Sequence, residues 1–230
     1  MLGMRVLNRI FFVCCVAVAL VWLSGCSGGA DFGESLSVPQ DRHTKVDDVF
    51  GAGKTLRIPA DVPFNVTDAQ RFSSGQAEAK SSAEAGGKAE CSAGAGPDGN
   101  AWAEFQLGHV LSHRGDKPYE TTVTFSATYG YQMGGELSAG SATPDKFALK
   151  VYIMDSNRRV LKRMMLAELD LVKGPTTWTG TQSPAFDLTL EPGLAYHLVM
   201  AGRIEVSSDV ERSPSAQIQV ESLDIEIVPR

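Results

Sequence analysis

Between Tyr119 and Tyr131 the chain alternates without a break. Tyr119, Thr121, Val123, Phe125, Ala127, Tyr129 and Tyr131 share one parity. Glu120, Thr122, Thr124, Ser126, Thr128 and Gly130 share the other. A period of two is the geometry of a β-strand, in which successive side chains point to opposite faces; a helix repeats every 3.6 residues. The segment therefore predicts a strand with one apolar face and one hydroxylated, wet face, as in an antiparallel sheet covered on one side. A strand of this kind needs partners, so it commits the flanking sequence to sheets as well.

The same parity runs upstream through a stretch that looks low in complexity. Alanines stand at 77, 79, 83, 85, 89, 93, 95, 101 and 103, with Ser81 and Cys91 in phase and Phe105 and Leu107 continuing it. Composition alone allows a helix or a disordered Ala-rich linker over 75–103. The spacing favours strands, with a hairpin at Gly86-Gly87-Lys88 that pairs Ala85 with Ala89 and a turn at Pro97-Asp98-Gly99-Asn100. Small inner residues would let a second layer approach closely.

Downstream, Phe147, Leu149, Val151 and Ile153 alternate, and Asp155-Ser156-Asn157-Arg158 supplies a turn into Val160–Leu166. A helix from Arg158 to Leu171 competes with a hairpin here, and the turn chemistry favours the hairpin. Phe186, Leu188 and Leu190 form a short strand; Tyr196, Leu198, Met200, Ile204 and Val206 line a long one. In the last strand Ala216, Ile218 and Val220 keep even parity, whereas Leu223, Ile225 and Ile227 are odd. A parity switch inside one strand predicts a β-bulge at Glu221-Ser222. Shorter strands are expected at Lys54–Ile58 and Val62–Val66, and Thr176–Thr181 reads as a Thr-rich turn. Many short strands between Gly/Pro turns predict an all-β antiparallel sandwich, jelly-roll or immunoglobulin-like, forming a single domain over 54–230.

The N-terminus has a different character. Arg5 and Arg9 precede an uncharged, apolar run from Ile10 to Leu23, which ends in Leu23-Ser24-Gly25-Cys26. A basic start, a short apolar middle and small residues form an export signal. The four final residues resemble the lipobox of bacterial lipoprotein precursors. That resemblance implies removal of residues 1–25 by cleavage between Gly25 and Cys26, and a covalent lipid such as palmitate on Cys26. It also implies membrane attachment through that lipid, and retention at the outer membrane because Ser27, not Asp, follows the cysteine. Residues 26–53, with Gly28-Gly29 and scattered charges, read as a flexible tether. Loss of Arg5 and Arg9 takes the formal charge from −6 to −8, which argues against nucleic acid as a partner. Of four cysteines only Cys91 is left unmodified in the mature chain, where it reads as a small buried residue.

No nucleophile elbow, phosphate loop or dinucleotide fingerprint is present. No catalytic residue, metal site or cofactor is assigned beyond the lipid, and the chain is not expected to be an enzyme. His109 and His113 read as solvated histidines at a strand end and loop, His43 as a solvated tether residue and His197 as an exposed sheet residue. Aromatic rings are the remaining lead, because sugars stack on them. Trp178, flanked by Thr176, Thr177 and Thr179, is the first candidate ligand contact; Trp102, Tyr129 and Tyr131 are the others. The expectation is a lipid-anchored, non-enzymatic envelope binding module for a glycan or a protein. A structural or assembly lipoprotein is the second reading and a glycan hydrolase the third.

Overall fold

The computed structural model describes residues 38–134, 145–168, 176–208 and 213–230. The lipobox residues Gly25 and Cys26, Ser27, and residues 135–144 lie outside the described residues. Thirteen strands are described: β1 (Thr44–Lys45), β2 (Leu56–Ile58), β3 (Val66–Ser74), β4 (Ala77–Ala83), β5 (Ala89–Ala95), β6 (Asn100–Ser112), β7 (Tyr119–Gly134), β8 (Lys146–Asp155), β9 (Val160–Glu168), β10 (Thr176–Gln182), β11 (Ala185–Leu190), β12 (Ala195–Ser207) and β13 (Ser215–Pro229). One short helix, α1 (Asp47–Phe50), follows β1.

The strands form a β-sandwich. One sheet has six strands in the order β1-β6-β12-β8-β9, with β3 sharing the β1 edge of β6. The other has seven in the order β10-β7-β13-β5-β4, with β11 beside β7 and β2 beside β13. Every pairing is antiparallel except β1 with β6. Alternation places one parity of each long strand in a single shared core. Val123, Phe125 and Ala127 of β7 meet Phe105, Leu107, Leu198 and Met200 of the facing sheet, all fully buried.

The Ala-rich stretch is β4, β5 and the start of β6, and the odd residues of β5 are all buried. Small side chains are required there because the two sheets close on each other: the Ser81 hydroxyl on β4 donates to the Gln70 carbonyl on β3 at 3.0 Å. Cys91 is fully buried, and burial, with Glu104 and Glu90 adding to it, pushes its thiol well above the ordinary value. The register differs from expectation by one pair. Ala83, not Ala85, faces Ala89. The loop is longer because the Ala85 carbonyl is taken by Phe64 N–H, and Gly87, at φ 99°, turns its carbonyl to Leu223 N–H. Only glycine holds that left-handed conformation without strain.

The Val160 run is a strand pairing with β8, and β13 shifts register between Val220 and Ser222, where the bulge is expected. Three expectations are corrected. Val62–Val66 is not a strand; the strand begins at Val66 and runs through polar residues to Ser74, which lack the alternation of a half-buried strand because most of them are exposed. Thr176–Thr181 is not a turn but edge strand β10, paired along its whole length with β7. Residues 44–50, read as tether, are built into the sandwich. β1 pairs with the end of β6, and Val46 and Phe50 sit in the core, the Phe50 ring edge-on to Tyr119 at 5.5 Å.

Candidate functional site

Outward-facing residues of the six-stranded sheet fall into rows set by the register. One row runs Phe72, Trp102, Glu205, Lys146 across β3, β6, β12 and β8. The next runs Gln70, Glu104, Arg203, Ala148, and the third Asp68, Gln106, Ala201, Lys150. Gln106, Ala201 and Lys150 of the third row are buried, as are Val199, Tyr152, Val110, His197 and Met154 beyond it, so the accessible part of this face is its Trp102 end.

The Trp102 end combines rings and charges. Phe72 is 47% exposed, the most exposed large apolar side chain among the described residues, and lies beside half-buried Trp102. The Arg203 guanidinium lies 5.7 Å from the Trp102 ring centroid. Its two terminal nitrogens donate to Glu104 Oε2 at 3.3 Å and Glu205 Oε2 at 3.2 Å, and Lys146 Nζ reaches the same Glu205 oxygen at 3.2 Å. Burial raises the Glu104 carboxyl pKa, against the lowering pull of Arg203 and with the repulsion of Asp68. Arg203 Nε and Gln106 Oε1 are buried without a hydrogen-bond partner among the described residues. Unmet donors and acceptors beside exposed rings can take up hydroxyl groups of a ligand whose ring faces stack on the aromatics. Further along the face, the Lys150 ammonium sits 5.3 Å from the Tyr152 ring centroid.

The aromatic candidates separate into two groups. Trp178, Tyr129 and Tyr131 face inward. Trp178 lies 5.7 Å from Tyr131 in a stacked arrangement and 4.7 Å from Tyr129, and Tyr131 meets Phe147 edge-on at 5.2 Å. Tyr129 is 1% exposed and its hydroxyl donates to the Leu166 carbonyl at 3.0 Å, so it has no surface to offer a ligand. Burial, reinforced by Tyr131, pushes its phenol up to about 12. Trp178 is half-buried against the core, because the alternation of β10 turns Thr177 and Thr179 outward and the indole inward over Gly180. Of the four, only Trp102 belongs to the outer face. Its partners Phe72 and Arg203 were not legible, since each comes from a strand distant in sequence.

The histidines are also corrected. His109, His113 and His197 are 2%, 1% and 8% exposed. His109 Nε2 bonds Thr44 Oγ1 at 2.7 Å. His113 places Nδ1 on Asp47 Oδ1 and Nε2 on the Lys117 carbonyl, both at 2.7 Å. They bind the 44–50 segment to the end of β6, a task invisible while that segment reads as tether. No cluster of three or more metal-ligating side chains occurs among the described residues. No helix among them is long and apolar enough to cross a membrane.

No family model matches this chain, and no curated protein matches it. Among solved structures it is similar to a carbohydrate-binding module of the β-sandwich superfamily, at 14% identity and a TM-score of 0.27, over 77% of this chain and 60% of that one. It is also similar to the Agl-KA catalytic domain, at 12% identity and a TM-score of 0.20, over 85% of this chain and 30% of that one. A third likeness, to infectious bursal disease virus Gx strain, has 6% identity and a TM-score of 0.18, over 71% of this chain and 41% of that one. The chain thus spans less than two thirds of each of these structures, and at such scores the likenesses do not bear on what it binds.

Proposed function

We propose that this chain is a lipid-anchored, non-enzymatic glycan-binding protein of the cell envelope, and that it holds its ligand on the outer face of the six-stranded sheet. The observation that carries the reading is the exposed Phe72 ring beside Trp102, within a network of side chains whose Arg203 Nε and Gln106 Oε1 lack partners. Sugars present both apolar ring faces and closely spaced hydroxyls, and this end of the face has a group for each. Glu104 and Glu205 are tied to the same guanidinium, an arrangement that favours a fixed hydrogen-bonding surface over a free acid and base pair. Lipid attachment at Cys26 and outer-membrane placement rest on the lipobox resemblance and Ser27.

Calorimetry or affinity electrophoresis of the protein against a panel of envelope polysaccharides tests the binding. Trp102→Ala and Phe72→Ala are each expected to weaken binding about 10-fold or more, since loss of a stacking ring removes about 1.5 kcal/mol. Trp178→Ala is expected to lower Tm and leave affinity unchanged. Loss of binding in Trp178→Ala with none in Trp102→Ala would move the site to the other sheet. The anchor is tested by labelling with radioactive palmitate: Cys26→Ser is expected to abolish incorporation and release the body from membranes. Label retained in that variant would refute attachment at Cys26.

A further inference from the structure

The seven-stranded sheet ends at β10, and β7 is the one described strand that pairs with it. Its outer edge presents backbone N–H and C=O groups along Thr176–Gln182, about 24 Å at the rise of an antiparallel strand. Natural sheets blunt such edges with charges, prolines, bulges or a covering segment. Other edges of this sandwich are blunted in these ways. β9 carries Lys162 and Arg163 and shifts register twice against β8, with Leu161 and Leu166 as the extra residues. β4 carries Glu78 and Lys80 and is held to β3 by the Ser81 to Gln70 bond. β11, next along β7, carries Asp187, which pairs with Arg230 at 3.3 Å.

β10 has none of these devices. It is the only one of the thirteen described strands without a charged residue, in a chain of formal charge −6. It holds no proline and keeps an unbroken register with β7, from Thr176 opposite Met133 to Gln182 opposite Ala127. The rows beside it are uncharged as far as β13: exposed Thr177 lies level with Gln132 and Gln217, and exposed Thr179 with Gly130 and Gln219.

The sequence of this edge is also self-complementary. Antiparallel pairing of two copies about Thr179 sets Thr177 opposite Thr181, Thr179 opposite itself and Trp178 opposite Gly180. Hydroxyls then meet hydroxyls on the outer face, a favourable cross-strand pairing, and no like charges are brought together. A closed dimer requires a patch that is its own partner, and this edge meets that condition. We infer that two copies of this chain associate edge to edge through β10, joining their seven-stranded sheets across a two-fold axis. The pairing occupies both edges, so it stops at two copies. It does not involve the Trp102 end of the other sheet. Seven residues a side make a small interface, so monomer and dimer exchange with concentration.

Sedimentation of the full chain in density-matched detergent, over a range of concentrations, tests this. The expected result is a shift from monomer to dimer as concentration rises. Thr179 is exposed, so Thr179→Lys and Thr179→Glu are each expected to leave Tm unchanged. Each sets like charges face to face on the two-fold axis and is expected to weaken the dimer about 5-fold. An equal mixture of the two variants is expected to restore it, because opposite charges then meet. Under mild oxidation Thr179→Cys is expected to give a disulfide-linked dimer, and the parent chain none, since Cys91 is fully buried. Thr177→Cys is expected to give none either, because its two copies lie about 14 Å apart along the strands. A monomer at every concentration would overturn the inference. So would species larger than a dimer, a dimer unchanged in both Thr179→Lys and Thr179→Glu, or equal trapping by Thr177→Cys and Thr179→Cys.

Discussion

Asp47→Ala is expected to destabilise the protein by about 3 kcal/mol, a large effect for a residue in a stretch that reads as a linker. The carboxylate accepts three bonds at the N-terminus of α1: from His113 Nδ1 at 2.7 Å, Arg114 N–H at 2.8 Å and Gly115 N–H at 2.9 Å. His113 is 1% exposed, and its two ring nitrogens face the Asp47 carboxylate and the Lys117 carbonyl. Gly115 N–H also lies 3.3 Å from Nδ1, a longer contact than its own bond to Asp47. Removing the carboxylate strips a buried ring nitrogen and two backbone donors of their acceptor, and each such group left unsatisfied costs about 1 kcal/mol or more. Val46 and Phe50 are held in the core by the same docking, so the segment becomes sensitive to protease between residues 38 and 53. Urea denaturation at neutral pH measures the loss. A change below 1 kcal/mol, with no new cleavage, would show that the segment docks by its apolar residues alone. Asp47→Asn keeps an acceptor without the charge and is expected to fall between.

Acid is expected to destabilise the fold by about 3 kcal/mol as pH falls from 6.5 to 4. Burial, with His43 adding to it, lowers the His109 pKa from 6.5 to about 4, and the same two causes lower His197. A base whose folded pKa is depressed binds its proton more readily in the unfolded chain. Stability is therefore fully present above 6.5 and declines as pH falls toward the folded value. Asp47 contributes in the same sense at lower pH. Burial works to raise its carboxyl, but the bonds from Arg114, His113 and Gly115 together hold it below 3.8. Glu104 opposes them, since its raised folded pKa favours the protonated folded state as pH falls. His109→Gln, which can still bond Thr44, separates these contributions. Denaturation midpoints measured across pH 4 to 7 should slope less in the variant than in the parent. Equal slopes would remove His109 as the cause.

Parity carried most of the fold into view. The alternation from Ala77 to Tyr131 is visible in β4, β5, β6 and β7, and the switch at Glu221-Ser222 marks the bulge, because in a half-buried strand the face of each side chain follows from its place in the chain. Where both faces are wet, as in β3, or where flanking polar residues disguise an inward ring, as in β10, that link fails. Trp178 reads as a ligand contact in a turn for this reason and is packed on Tyr131.

The site was legible at one residue. Trp102 stands on the polar parity of a recognisable strand, so its outward direction follows from local geometry. Phe72 and Arg203 reach it through the pairing of β3 and β12 with β6, and strand order is not written in the period of any one strand. The histidines make the same point: their bonds to Thr44 and Asp47 join residues more than sixty positions apart. Local periodicity determined which residues form strands and, in half-buried strands such as β7 and β13, which faces are dry. Only the tertiary structure decided which strands lie side by side, and with them which polar groups share a surface, because sheet order follows from the packing of whole faces against each other.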